Sequence, residues 1–498
     1  MPVTKPSDEP AIPVLPRREF LKLSGLVALA PGFGVFSSSN AQSPPDAKAD
    51  YTLRIARGNL ELAPGRVIST TLYNSQFPGP LLRFTEGKRA IVDIYNDTEV
   101  PELAHWHGQM IPSDVDGAAE EGTPLIPAHG MRRISFVPRP AGFRFLHTHV
   151  AAGSDLSKGT YSGQAAPVYI EPKANEGTYD REVFLTLKEF EASLSHGGDM
   201  DMDFLAGESS PELKAIGKAA DEKNKQHKEK GFEVNYRSFA INGKMLGSGE
   251  PVRVKFGERI LFHVLNASAG EMRSLALPGH VFHVVALDGN PVPNPGGVPV
   301  LWLGTAERAS AIVEMRHPGV WVLGDLDDDD RKNGMGIVIE YAGQRGAPKW
   351  QKPEAFKWDY SLFGHAHTAP REPDETIEML IVKNNGALGG FNEWTLNGEA
   401  FSMASMKPRY TVRRGRRYRL KFRNASDDIH PLHLHRHTFE LTRIGGKPTS
   451  GVMKDVVMLG GYQEAELDFV ADNPGLTLFH CHQQLHMDFG FMALFKYA

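Results

Sequence analysis

One cysteine, Cys481, occurs in the 498 residues, so no disulfide can form within the chain. Charge of one sign is also missing. Lys and Arg total 55 against 60 Asp and Glu, a net charge of −5 that gives no electrostatic reason to expect nucleic acid as a partner. Nor is there a long hydrophobic run. The most apolar stretch, 23–36, is too short for a convincing membrane span. What the chain has in plenty is Gly (50) and Pro (35), a turn-rich composition that favours an all-β protein over a helical bundle. Its length divides naturally into two to four domains.

The N-terminus carries a basic, an apolar and a small-residue region in turn. Arg17-Arg18-Glu19-Phe20-Leu21-Lys22 precedes the 23–36 stretch, which is followed by Ser39-Asn40-Ala41. The paired arginines before Phe-Leu-Lys resemble a twin-arginine export signal. The implied partner is the twin-arginine export machinery, with residues 1–41 removed, a mature start near Gln42 and a periplasmic or otherwise exported destination. In an oxidising compartment a lone thiol is a liability unless something occupies it.

Short alternating segments at 89–95, 133–137, 181–187, 252–264, 418–423 and 476–480 read as strands, each bounded by Gly, Pro or Asn. A charged stretch at 211–230 reads as a surface helix. Internal repetition sets the architecture. Gly87 and Asn96, Gly257 and Asn266, and Gly415 and Asn424 share one spacing. His105 and His107 follow the first Asn at the same distances as His433 and His435 follow the third; Leu275 and Leu277 hold those places in the second. Near each unit's end, His147 and His149 follow Gly142 as His480 and His482 follow Gly475, whereas Gly324 and Leu326 follow Gly319. Three homologous Greek-key β-sandwich units are expected, at 50–172, 173–350 and 351–498. Histidine pairs occur in the outer two and are lost from the middle one. The acidic run 327–330 then reads as a solvated loop at a vanished metal site.

On a strand, residues i and i+2 face the same way, so each His-x-His pair aims two imidazoles at one place. Four such pairs, in register with the repeat, are more than one ion requires. Cys481, His430 and His486 add a thiolate and two imidazoles, the donor set of a blue-copper electron-transfer site. Cys481 lies between His480 and His482, so its side chain faces the opposite side of the strand. A one-electron centre would sit on one face and a multi-metal cluster on the other.

His105-Trp106-His107, His147-Thr148-His149, His430-Pro431-Leu432-His433-Leu434-His435 and His480-Cys481-His482 with His486 resemble the four signatures of the three-domain multicopper oxidases, bacterial laccase-like proteins among them. The resemblance spans essentially all of the mature chain. It implies three cupredoxin-like domains and four copper ions. His430, Cys481 and His486 would hold the type 1 copper, and His105 and His433 the type 2. His107, His147, His149, His435, His480 and His482 would hold the type 3 pair. The implied activity couples one-electron oxidation of phenols or aromatic amines to four-electron reduction of dioxygen to water. Cuprous ion is the alternative donor. A copper nitrite reductase-like enzyme and a non-catalytic cupredoxin electron-transfer or structural protein are the other readings.

Three departures from the family pattern matter. Phe491 stands at the axial position of the type 1 site, where it supplies no ligand and should raise the potential; Met492 is the alternative axial residue. Met487 replaces a proton-relaying Glu, which leaves Asp116 as the best proton donor and Asp488 as a weaker one. Arg436 replaces a Gly between His435 and His437, and His437 matches a histidine that binds no copper. Met200, Met202, Met403 and Met406 hint at a methionine-rich donor site. The insert at 191–232 could lid the substrate pocket or bind a partner.

Overall fold

Each repeat unit folds into two facing sheets, and the computed structural model describes them through residues 47–172, 178–196, 203–223, 231–365 and 370–498. The twin-arginine segment at 1–41 lies outside the described residues, as do Met200 and Met202.

In the first unit, strands Arg66–Tyr73, Tyr51–Ala63, Ala90–Asn96 and Met131–Phe136 form one sheet. Leu82–Thr85, Ala165–Glu171, Gly142–His147 and His105–His107 form the other. The second and third units repeat the plan with six- and five-stranded sheets. In every unit one parallel pair recurs in the first sheet: Tyr51–Ala63 with Ala90–Asn96, Arg181–Phe190 with Arg259–Asn266, and Glu375–Leu388 with Arg417–Asn424. The remaining pairings are mostly antiparallel, and the architecture is three cupredoxin-like β-sandwiches. Alternation drives the layering. Arg417–Asn424 buries every second residue, placing Tyr418, Leu420 and Phe422 in the core.

The repeated Gly and Asn have the same work in each unit. Gly87, Gly257 and Gly415 have φ of 77, 79 and 82°, a left-handed turn that a side chain would strain. Asn96, Asn266 and Asn424 each sit at the end of the following strand. Their side-chain amides donate to nearby loop carbonyls, and their Oδ1 atoms accept from the backbone N–H two residues on. The turn at Gly257 also corrects one expectation. The strand foreseen at 252–264 is two strands, Val252–Val254 and Arg259–Asn266, which belong to different sheets.

A second correction concerns the acidic run in the middle unit. It is no loop: Asp327 caps a short helix, Asp328–Lys332, by accepting from the N–H groups of Asp329 and Asp330. Asp325 accepts from Ser274, and Asp330 pairs with Arg273, so the place of Cys481 and His486 is filled by hydrogen bonds and an ion pair. The strand register has slipped there as well. His105 faces His147 and His433 faces His480, but in the middle unit Ala276 rather than Leu275 faces Gly324.

The second and third units share one continuous apolar core, while the first has its own, joined to the others through Phe143, Phe145, Phe190, Leu265 and Val456. Within the insert, a helix at Pro211–Lys223 packs on Glu375–Leu388 of the third unit. Among the described residues no helix is long and apolar enough to cross a membrane.

Candidate metal centres

The two outer units meet so that their histidine strands face one another. Strand alternation sends Trp106 into the first core and leaves His105 and His107 on the other face; the same rule puts Cys481 on the core side and His480 and His482 opposite. Eight imidazoles gather at the interface, all buried: His105, His107, His147 and His149 from the first unit, His433, His435, His480 and His482 from the third. Ligand atoms within triads such as His105–His107–His147, His105–His433–His435 and His149–His435–His480 lie within 4.8 Å of one another.

Hydrogen bonds settle which ring nitrogens carry protons. A carbonyl oxygen can only accept, so Nδ1 of His105 (3.0 Å from Asp116 O), His147 (2.7 Å from Thr148 O), His433 (2.7 Å from Asp455 O) and His480 (2.8 Å from Cys481 O) are donors. Their Nε2 atoms are bare lone pairs. His435 Nδ1 is 2.9 Å from the Asp116 carboxylate and His107 Nε2 is 3.1 Å from that of Asp455, which leaves His435 Nε2 and His107 Nδ1 bare in turn. The bare nitrogens then face one another, His435 Nε2 to His480 Nε2 at 3.0 Å and His107 Nδ1 to His147 Nε2 at 3.3 Å. Nε2 of His105 and of His433 is buried with no hydrogen-bond partner. Opposed lone pairs at this range repel unless cations lie among them, and neutral imidazole is the form that binds a metal. Burial and then the neighbouring rings push His107, His147, His149, His433, His435, His480 and His482 well below the ordinary imidazole range. The residues therefore fit copper.

On the other face of the Cys481 strand, Cys481 Sγ lies 3.6 Å from His430 Nδ1 and 3.5 Å from His486 Nδ1, with 3.1 Å between the two nitrogens. A point equidistant from all three is about 2 Å from each, the length of metal–imidazole and metal–thiolate bonds. Asn424 accepts from Ser426 Oγ, and Ser426 Oγ takes the Nε2 proton of His430, so the repeated Asn aims Nδ1 of His430 at the triangle. Trp394 stacks on His486 with 3.9 Å between centroids.

Phe491 is fully buried in the same core as Cys481, and its ring lies edge-on to His430 at 4.8 Å. Its N–H donates to His486 O and its carbonyl accepts from Cys481 N. Met492 faces away, in a separate cluster with Ala118, Leu478, Met487 and Leu494; Met403 packs there too, and Met406 is exposed. Arg436 adopts φ 58°, the left-handed conformation that suits the family's Gly. Its buried guanidinium donates to the carbonyls of Ile111, Leu476, Asn473 and Pro474 and to Thr477 Oγ1. His437 stands outside the cluster, between His435 O and Tyr497 OH.

Asp116 is buried between His105 and His435, with Oδ1 left unpartnered among the described residues. Asp488 is differently employed: its carboxylate accepts from the N–H groups of Ala152 and Gly153 and from Gln484, so it holds the loop after His149. Two carboxylates escaped the sequence reading. Glu120 Oε2 lies 3.7 Å from His149 Nδ1, and burial pushes its carboxyl up to about 7. Glu121 lies 3.6 Å from His435 Nδ1, and burial, then the charge of Asp116, raises its carboxyl well above the ordinary carboxylate range. Both follow Asp116 in the same loop, which was the available signal.

Three family models, each described as multicopper oxidase, match residues 54–175, 214–339 and 371–498. The multicopper oxidase MmcO of Mycobacterium tuberculosis is 28% identical over 482 residues, covering 95% of this chain and 92% of the relative. A multi-copper oxidase from Pseudomonas thermotolerans superposes with a TM-score of 0.67 at 22% identity, over 91% of this chain and all of that one. A laccase from Botrytis aclada does so with a TM-score of 0.69 at 16% identity, over 89% and 87%.

Proposed function

This chain belongs to the multicopper oxidase family, a copper-dependent oxidoreductase, and we propose that it is a laccase-like enzyme that oxidises phenols or aromatic amines with dioxygen. The observation that carries the proposal is the strand Thr477–Cys481 and its continuation. Cys481 joins the His430–His486 triangle, while His480 and His482, its direct neighbours in the chain, join the imidazole cluster. One covalent path thus links both centres. When bound, copper would supply one-electron transfer at the thiolate and four-electron reduction of dioxygen to water at the cluster. We assign His430, Cys481 and His486 to type 1 copper and His105 and His433 to type 2. His107, His147, His149, His435, His480 and His482 take the type 3 pair.

The chain's own residues divide the remaining work. Asp116 holds the Nδ1 protons of His105 and His435 and keeps their Nε2 atoms aimed inward. Asp116 and Glu121 beside it supply protons to the oxygen site, with Glu120 opposite at His149. Asp488 serves that path by fixing the loop. Donor electrons enter at His486, whose ring is covered by Trp394 and whose helix carries Phe489 stacked on Phe391 at 4.3 Å; Phe232 of the insert extends this aromatic rim. Phe232, the last residue of the insert, thus borders the donor side. Asp428, which accepts from Trp394 Nε1 at 3.1 Å, and the neighbouring Asp427 are both paired with Lys383, so on this side they offer cuprous ion no free carboxylate, and the aromatic donors are favoured. Arg17-Arg18 directs twin-arginine export to the periplasm or beyond.

The test is oxygen uptake by fully loaded protein, with copper counted and a phenol, an aromatic amine and cuprous ion offered in turn. Four coppers per chain and uptake with the aromatic donors are expected. No uptake with any donor would overturn the proposal, and turnover of nitrite with two coppers would favour the nitrite reductase-like reading.

A further inference from the structure

The middle unit holds none of the ligand histidines, yet its charged side chains reach the cluster. Arg308 donates from Nη1 to Asp455 Oδ1 and from Nη2 to Asp455 Oδ2, both at 2.6 Å. Asp455 in turn meets two histidines of different units: its Oδ1 lies 3.1 Å from His107 Nε2 and its carbonyl accepts from His433 Nδ1 at 2.7 Å. Asp288, also of the middle unit, accepts from the N–H groups of Asp455 and Val456 at 3.2 and 3.1 Å. Arg144 of the first unit adds a bond of 3.0 Å to Asp455 Oδ2, and Lys454 pairs with Asp288 and Glu307 at 2.9 and 3.1 Å. Three cations and three carboxylates, all fully buried, balance one another where the units meet.

Burying such a set gains little stability over apolar packing, because desolvation offsets the attraction. Its geometric effect is definite. A bidentate guanidinium fixes the plane of the Asp455 carboxylate. That carboxylate draws the proton of His107 to Nε2 and leaves Nδ1 bare towards His147.

We propose that Arg308 is a positioning residue for the histidine cluster, acting through Asp455 to set the tautomer of His107 and the placement of His433. The middle unit thus contributes a charge clamp in place of the metal sites it lost. The inference rests on the copper reading above.

The test uses full-length protein loaded with copper and two variants, Arg308→Met and Arg308→Lys. Copper per chain, the visible thiolate–copper band, the near-ultraviolet absorption of coupled copper and the electron paramagnetic resonance signals are measured during titration with a chelator. Arg308→Met should keep the thiolate band and release cluster copper at about 10–100-fold lower chelator concentration. Arg308→Lys, which keeps the charge without the fork, should fall between. Wild-type cluster spectra and chelator resistance in both variants would overturn the proposal. If Arg308→Met does not fold, Arg308→Lys decides alone, and unchanged cluster signals there overturn it. A wild-type chain that binds no copper beyond the thiolate site overturns the copper reading, and this inference with it.

Discussion

The carboxylate of Asp116 lies 2.9 Å from Nδ1 of His435, so a residue of the first unit holds the proton of a histidine in the third. The same oxygen is 3.1 Å from His105 Nδ1. Asp116→Asn keeps the shape but cannot serve as a charged acceptor or return a proton. Turnover should fall by about 10²-fold or more, the usual size of a general-acid contribution, with copper content and the donor's KM little changed. Steady-state oxygen uptake beside metal analysis checks this. Unaltered turnover would remove Asp116 from the proton path.

Glu120 offers a separate handle through pH. Burial raises its carboxyl from 4.5 to about 7, so between those values the folded chain binds a proton that the unfolded chain has released. Folding therefore becomes less favourable as pH rises through this window, and the penalty is complete above pH 7. Glu120→Gln removes it. In metal-free protein the variant should gain up to about 3 kcal/mol over wild type at pH 8 and almost nothing at pH 4. Denaturant titrations at the two pH values give the comparison, and an equal difference at both would contradict the assignment.

Arg436 sets two effects against each other. Glycine at its left-handed φ of 58° relieves about 1–2 kcal/mol of strain. Arg436→Gly also strands the carbonyls of Leu476, Asn473 and Pro474, leaves Ile111 O with only the Asn473 amide, and leaves Glu121 without its neighbouring cation. Each buried bond to a charged group is worth about 1.5–3 kcal/mol, so the loss dominates. The variant should unfold at lower temperature by calorimetry, although it restores the residue common in the family.

Much of this was legible because the fold repeats. Gly87, Gly257 and Gly415 mark one turn, and the Asn nine residues on caps one loop, so three units and the facing histidine pairs could be counted before any geometry was known. The partners of the histidines were another matter. Asp455 and Arg308 belong to different units and converge only through the packing of three sandwiches, and no spacing rule joins residues so placed. The 327–330 run misled because the same residues that make a polar loop also cap a helix, and the Arg273 that holds Asp330 lies far off in the sequence.

Phe491 and Met492 are adjacent, and the structure separates them cleanly. Phe491 is held by backbone bonds to both His486 and Cys481, with its ring against His430, whereas Met492 packs in another cluster. Phe491→Met can thus replace the side chain while the backbone stays pinned. Its flexible thioether would give the oxidised ion a further donor, which favours cupric over cuprous and lowers the potential. Redox titration of the visible thiolate band should show a lower midpoint for Phe491→Met and slower oxidation of donors of high potential. Met492→Ala should leave the midpoint in place and affect only stability, by about 2–5 kcal/mol. A midpoint that moved with Met492 and not with Phe491 would reverse the axial assignment.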